Sequence, residues 1–494
     1  MGKVKYLFVI SLLFMQVAKF YGGNVVNING VNYALDLDGN FTARVISSQY
    51  ASGDITILSE INITNDSDVS VENGIYRVVS IDELAFHNSD ITSLYVPNSV
   101  NSIKWASFEN CTSLNSIRGC DGIRYIGEEA FKNCYNLTSI CFGQALEEIG
   151  KNAFNGCSSL KKVIVKDLSA WCKTKFNNNS NPISLGGHIY SDENTEIVNM
   201  VLPQDIMYIA DYAFEGCHGL QSLIIPSNCQ EIGKCSFANC SNLSSVNVEA
   251  GRIGIQAFQH CDKLKTVYIG DAVTYIGSWA FGSNSIEIES LTFGSCILTI
   301  DMDAFSNVKK VIVKDIKSWC SSTFESNPIM LSKNTFSDEN TEIENLIIPE
   351  GVTTVPRRAF SGSLSLKSVS FPNSLSCIEG ASFYNCSYLE NVIFPNQLND
   401  IEGYAFCNTG LKTIKITSVN AIENAAFSNC ASLLAVEVSN YISSLGEVYG
   451  DDWDGVFVED GVFESCKNLK SVSLPKGLNV IGASTFYNCV FRDL

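Results

Sequence analysis

Nineteen cysteines, four histidines and a ten-residue acidic run are the residues of this 494-residue chain whose types could do chemistry. Ten of the cysteines share one address, three residues after a phenylalanine: Cys111, Cys134, Cys157, Cys217, Cys240, Cys261, Cys386, Cys430, Cys466 and Cys489. Where Cys is absent from that place, Ser89, Asn284, Val308, Ser363 or Thr409 stands instead. Mostly small replacements describe a tight buried slot that takes a short, soft side chain. Ser and Val in the slot break any fixed pairing, and side chains stacked in parallel do not point at each other as a disulfide requires. A ladder of free thiols is therefore favoured over a disulfide framework, although an exported chain would permit the latter. Paired C-x-x-C sets, the usual mark of a zinc site, are absent from the sequence. Three of the four histidines, His87, His218 and His260, fall just after a repeat phenylalanine, and with His188 they read as exposed polar residues. The run DDWDGVFVED at 451–460 lacks the carboxylate spacing of a calcium loop and reads as a solvated segment. No G-x-S-x-G, H-E-x-x-H or P-loop string occurs. The expectation is no catalytic residue, no metal ligand and no cofactor, hence not an enzyme.

The elements that must carry these residues repeat. Phe86, Phe108, Phe131, Phe154, Phe214, Phe237, Phe258, Phe281, Phe305, Phe360, Phe383, Phe406, Phe427, Phe463 and Phe486 head fifteen copies of one string, mostly 21 to 24 residues apart. A fixed period of this size marks a solenoid, in which one coil cannot bury its own apolar face and stacked coils can. A unit reads L-x-x-I-x-I-P, then V-x-x-I-G, then A-F-x-x-C. The I-x-I alternation predicts a short strand with one face buried. Pro at 97, 203, 226, 349, 372, 395 and 475 ends it, because Pro cannot donate to a ladder. The Gly of I-G is expected to supply an unusual backbone angle at a corner. A-F-x-x-C is too short for a helix and is expected to be a 3₁₀ turn or an irregular corner with its Phe plugging the coil.

L-x-x-I-x-I with I-G-x-x-A-F-x-x-C-x-x-L resembles the BspA-like leucine-rich repeats of bacterial surface proteins, over roughly residues 75–494. The resemblance implies a right-handed, β-rich superhelix of about 15 coils. It also makes VNYALDLDGNFTARVIS and SVENGIYRVVSIDELAF look like the β-rich leader of such chains, here a cap region at 23–74. Two inserts interrupt the period. KKVIVKDLSAWC at 161–172 returns as KKVIVKDIKSWC at 309–320, and SDENTEI at 191–197 returns at 337–343. A duplicated block with enlarged coils at 161–203 and 309–349 is expected, each with a short helix around Trp171 or Trp319. A third enlarged coil is expected at 439–462. The chain stops inside a coil at FYNCVFRDL, as an open edge or a shortened family member.

Bulk properties narrow the function. A formal charge of −19 and a pI near 4.7 leave no basic stripe for nucleic acid. Lys3 and Lys5 followed by the apolar run Leu7 to Val17 have the form of an export signal over 1–22, and no later stretch is long and apolar enough to span a bilayer. The middle x of L-x-x-I-x-I points away from the core. Tyr95, Ile164, Val201, Ile224, Tyr268, Ile312, Ile347 and Ile393 are therefore expected to form a solvent-facing ridge and to contact an extracellular protein. By the resemblance, this is a secreted or cell-surface adhesin that binds host matrix proteins or other cells. The alternative is an extracellular scaffold or spacer whose partner shares its surface.

Overall fold

The computed structural model describes residues 6–11, 14–20, 24–64, 72–438, 442, 444–446 and 461–490. The acidic run at 451–460 and most of the expected third enlarged coil lie outside them. Contacts divide the chain into two compact units. The first holds Met1–Leu243 and Ala257–Cys261, and the second Ser244–Gln256 and Asp262–Leu494.

The first unit opens with antiparallel strands Val25–Ile28, Val31–Leu35 and Thr42–Ile46, which bury Val26, Ile28, Tyr33, Leu35 and Val45. Strands Tyr6–Ser11 and Phe14–Phe20, within the stretch read as an export signal, pair antiparallel with each other. The last opening strand, Thr42–Ile46, pairs in parallel with Gly74–Ile81. Parallel pairing then persists from coil to coil. One ladder runs through Asp90–Tyr95, Ser116–Arg118, Ser139–Phe142, Lys162–Val165 and Ile189–Tyr190. A second runs through Ser102–Ile103, Tyr125–Ile126, Glu148–Ile149 and Lys175–Phe176. The second unit repeats the plan. Its ladders include Ser245–Val248, Thr266–Ile269, Ser290–Phe293 and Val311–Val313, and Thr354–Val355, Cys377–Ile378, Asp400–Ile401 and Ala421–Ile422. Each unit is thus a stack of parallel β-coils.

The phenylalanines form the stack's spine. In the first unit Phe86, Phe108, Phe131 and Phe154 lie face to face, with centroids 5.1, 5.1 and 5.3 Å apart and rings within 9° of parallel. In the second, Phe360, Phe383, Phe406 and Phe427 do the same at 5.5, 5.2 and 5.3 Å. All eight are fully buried, and each contributes on the order of 2 kcal/mol.

Around each Phe the corner is the irregular form. Phe108 N donates to Ala130 O at 2.8 Å and Asn110 N to Lys132 O at 2.9 Å, so alternate amides reach the next coil, while Cys111 N turns back to Phe108 O at 3.1 Å. The alternation requires left-handed backbone two residues before and two after the Phe. The later place holds Asn110, Asn133, Asn239, Asn385, Asn408 and Asn429, at φ between 56° and 63°, or Gly156, Gly216 and Gly362. Asn and Gly are the residues that tolerate this region best.

The Gly of I-G corrects an expectation. Gly127, Gly150 and Gly233 do not have positive φ; they are there because backbone passes too close. A Cβ on Gly150 would lie 2.5 Å from Glu128 N, and one on Gly127 2.5 Å from the Lys104 carbonyl carbon.

Candidate binding face

The repeat thiols have a structural partner. Cys111 Sγ donates to Phe86 O at 3.0 Å, Cys134 to Phe108 O at 3.1 Å and Cys157 to Phe131 O at 3.1 Å. Cys386 donates to Phe360 O and Cys430 to Phe406 O, both at 3.2 Å. The slot wants a short donor that reaches the Phe carbonyl of the preceding coil. All nineteen cysteines are free thiols. Burial pushes the Cys111 thiol up to about 11 and the Cys386 thiol to about 12, far from reactive thiolate. His188 lies 2.6 Å from Glu196 Oε1 and His87 3.4 Å from Glu109 Oε2, while His218 meets Ser241 Oγ at 3.1 Å. Among the described residues no three His, Cys, Asp or Glu side chains converge to hold a metal ion.

The outward positions of the first ladder therefore remain the candidate face. Their exposure is uneven. In the first unit Tyr95 is 47% exposed, Val201 63% and Ile224 43%; in the second, Ile347 is 72% and Ile393 69% exposed. Tyr268 is half-buried beneath Lys314 Nζ, 5.1 Å from its ring centroid. Ile164 and Ile312 do not face solvent, contrary to the reading from strand alternation: they are 3% and 1% exposed. The duplicated insert is the reason. It adds a strand whose register sets Tyr190 beside Ile164 and Phe336 beside Ile312. Lys162 Nζ lies 4.8 Å from the centre of the Tyr190 ring, and Lys310 Nζ 4.7 Å from that of Phe336. Lys162 also donates to Glu193 O, and Lys310 to Glu339 O at 2.7 Å, fastening the SDEN loop over the strand. An aromatic just before SDEN in both copies was the signal in the sequence.

The two inserts are built alike. Asp167 caps helix Leu168–Lys173 by accepting from Ala170 N, and Asp315 caps Ile316–Trp319 by accepting from Lys317 N, both at 3.0 Å. Trp171 Nε1 donates to Ala213 O at 2.7 Å and Trp319 Nε1 to Ala359 O at 2.8 Å. Asn181 and Asn327 donate to those same carbonyls.

Immediately beyond each insert the ridge is aliphatic and open. Register places Val201 beside Ile224 in the first unit, and Ile347, Ser370 and Ile393 in a row in the second. Ion pairs rim the second row: Glu344 with Lys367 at 2.8 Å and Glu390 with Lys412 at 2.5 Å. Such exposed pairs add little stability and leave the rim polar. An apolar strip with a polar rim is the pattern of a protein-contact surface.

A family model described as BspA type leucine rich repeat region (6 copies) matches residues 79–185, 184–312, 315–448 and 456–494. Among solved structures, the chain is similar to a leucine rich cell surface protein of Faecalibacterium prausnitzii A2-165. The two are 18% identical over 92% of this chain and 94% of that one, with a TM-score of 0.32. It is also similar to a leucine-rich repeat protein of Bacteroides ovatus, at 20% identity over 93% of this chain and 91% of that one, with a TM-score of 0.38. No curated protein matches the chain. Among the described residues no helix is long and apolar enough to cross a membrane.

Proposed function

The chain belongs to the BspA-type leucine-rich repeat family, and from that premise we propose that it is a non-enzymatic binding protein, exported to act at or beyond a cell surface. The family is one of bacterial surface proteins, and its coils present side chains on a ladder rather than converging them on a reacting atom. The partner is an extracellular protein, with host matrix proteins or neighbouring cells as the targets. The observation that carries this reading is the pair of exposed aliphatic rows, Val201–Ile224 and Ile347–Ile393, on outward strand positions where nothing in the core requires them. Export rests on Lys3, Lys5 and the apolar run that follows.

The test is binding of the exported chain to immobilised matrix and plasma proteins, before and after Val201→Lys, Ile224→Lys, Ile347→Lys and Ile393→Lys. These sites are exposed, so each change should shift stability by less than about 0.5 kcal/mol. Saturable binding that the substitutions abolish is the expected result. Binding that survives all four rules the rows out, and no binding on the whole panel favours the scaffold reading. N-terminal sequencing of secreted protein should begin near residue 24; a chain that retains Met1 would contradict export through this signal.

A further inference from the structure

One pair of thiols stands outside the column of repeat cysteines. Cys120 opens the 3₁₀ turn Cys120–Gly122, which follows strand Ser116–Arg118. Cys141 lies in the neighbouring strand Ser139–Phe142. Register sets Ser116 beside Ser139, so Cys141 is level with Arg118, two residues before Cys120. Gly119 turns the chain there at φ 81°. Close approach holds the turn on the next coil: a Cβ on Gly143 would lie 2.6 Å from Asp121 Cα. The Tyr95 ring packs on the same turn, where a Cβ on Gly119 would lie 2.8 Å from it.

The pair differs from the column in where its hydrogen goes. Cys134 and Cys157 also neighbour each other, but each donates to a phenylalanine carbonyl. Cys120 donates to the Cys141 sulfur, which in turn lies 3.7 Å from Ile117 O. Lys166 Nζ meets Asp121 Oδ1 at 2.7 Å, and its charge acts on both thiols. The hydrogen bond from Cys120, helped by Lys166, holds the Cys141 thiol down to about 7, and the same bond pushes the Cys120 thiol well above its ordinary value. A thiolate is the form that attacks a disulfide, and a pKa near ambient pH suits that attack. Cys141 is 5% exposed and the column thiols Cys134 and Cys157 are fully buried, so a small reagent meets it before them. The duplicated block shows that the coil does not require the pair. Asp121 and Lys166 return as Asp271 and Lys314, while Gly270 and Thr292 stand in the places of Cys120 and Cys141.

We propose that Cys120 and Cys141 are a redox modification site that closes to a disulfide by exchange with a low-molecular-weight disulfide. Two side chains aimed at each other are what a disulfide needs and what the parallel column lacks. The Cys141 thiolate attacks one sulfur of the incoming disulfide, forms a mixed disulfide and releases one thiolate, which takes up a proton. Cys120 then gives up its proton and attacks the Cys141 sulfur, and the second thiol leaves. The two cysteines are oxidised together, and the incoming disulfide is reduced to two thiols. The bridge ties the turn beneath Tyr95 to the next coil. Export would place the pair where oxidation is favoured, but the site does not rest on that reading.

The experiment treats the full-length chain with oxidised glutathione near neutral pH, blocks the remaining thiols with iodoacetamide and maps unreduced peptides by mass spectrometry. The expected product is a cross-link between Cys120 and Cys141, carrying no glutathione and opened by dithiothreitol. Glutathione added at the more open Cys235, Cys377 or Cys489 would increase the mass and is told apart. Cys120→Ser should keep glutathione on Cys141, because no second thiol displaces it. Cys141→Ser should leave Cys120 unmodified. Gly270 and Thr292 hold these places in the second unit, so both variants should fold, and the map of the unaltered chain decides the matter if they do not. Absence of the Cys120–Cys141 cross-link, a Cys134–Cys157 cross-link in its place, or a folded Cys120→Ser chain that captures no glutathione would each overturn the proposal.

Discussion

Cys111, Cys134 and Cys157 each spend their single hydrogen on the carbonyl of a phenylalanine one coil back. Burial raises the thiol of Cys111 from 9.0 to about 11 and that of Cys386 to about 12. A folded pKa above the unfolded one means that the folded state favours the protonated thiol. That contribution is complete below pH 9 and is lost as pH rises through 11 to 12. The melting temperature should therefore fall between about pH 9 and about pH 12, and Cys111→Ser, which keeps a donor and removes the titration, should flatten part of the slope. A melting temperature that is flat across this range would show that the thiols are not held protonated. Gly150 makes the second residue-scale prediction. Its added Cβ would sit 2.5 Å from Glu128 N, a backbone atom that cannot swing away. Gly150→Ala should cost about 1–3 kcal/mol in urea unfolding, whereas a residue that merely preferred positive φ would lose less.

At the scale of the element, the coil was legible in the sequence because its signals are local. The Phe column, the I-x-I strands and the Cys slot recur at one period, so fifteen copies average out their exceptions. The burial of Ile164 and Ile312 was not legible from the strand alone. The same Ile suits a pleated surface whether covered or bare, and what covers it, Tyr190 or Phe336, arrives with the next strand. The role of the I-G glycine was hidden for a related reason: sequence shows that a Cβ is missing and does not show which neighbour forbids it. Each insert is held by its indole. Trp319 packs at a tilt of 42° against Phe324, with centroids 4.6 Å apart, and donates to Ala359 O. Trp319→Phe keeps most of the apolar contact and removes the indole donor while Asn327 still donates to that carbonyl, so it should cost about 0.5–1.5 kcal/mol. Thermal melts of Trp319→Phe beside Trp171→Phe check this, and near-equal losses are expected because Trp171 bonds Ala213 O in the same way.

At the scale of the whole molecule, stability is close to a sum over neighbouring coils. Removing residues 384–406, one period of 23, rejoins Phe383 to Cys407 in register. The shortened chain should keep its far-ultraviolet circular dichroism per residue and melt cooperatively. Removing only half that length throws every later Phe off the column and should unfold the chain beyond the cut. If both deletions behave alike, the coils are not the unit of folding. The binding reading belongs to this scale as well. The scaffold could be derived from periodicity, but the partner could not, because outward residues answer to a surface that the chain does not contain.

The thiol-to-carbonyl bond has an evolutionary consequence. Each coil with a Cys in the slot brings its own donor, and the Phe of the coil before it offers the acceptor, whichever such coils stand together. A stretch of gene copied by unequal crossover in whole periods therefore inserts without leaving a bond unmade. The block that carries KKVIVKD twice, 148 residues apart, has the form that such an event leaves.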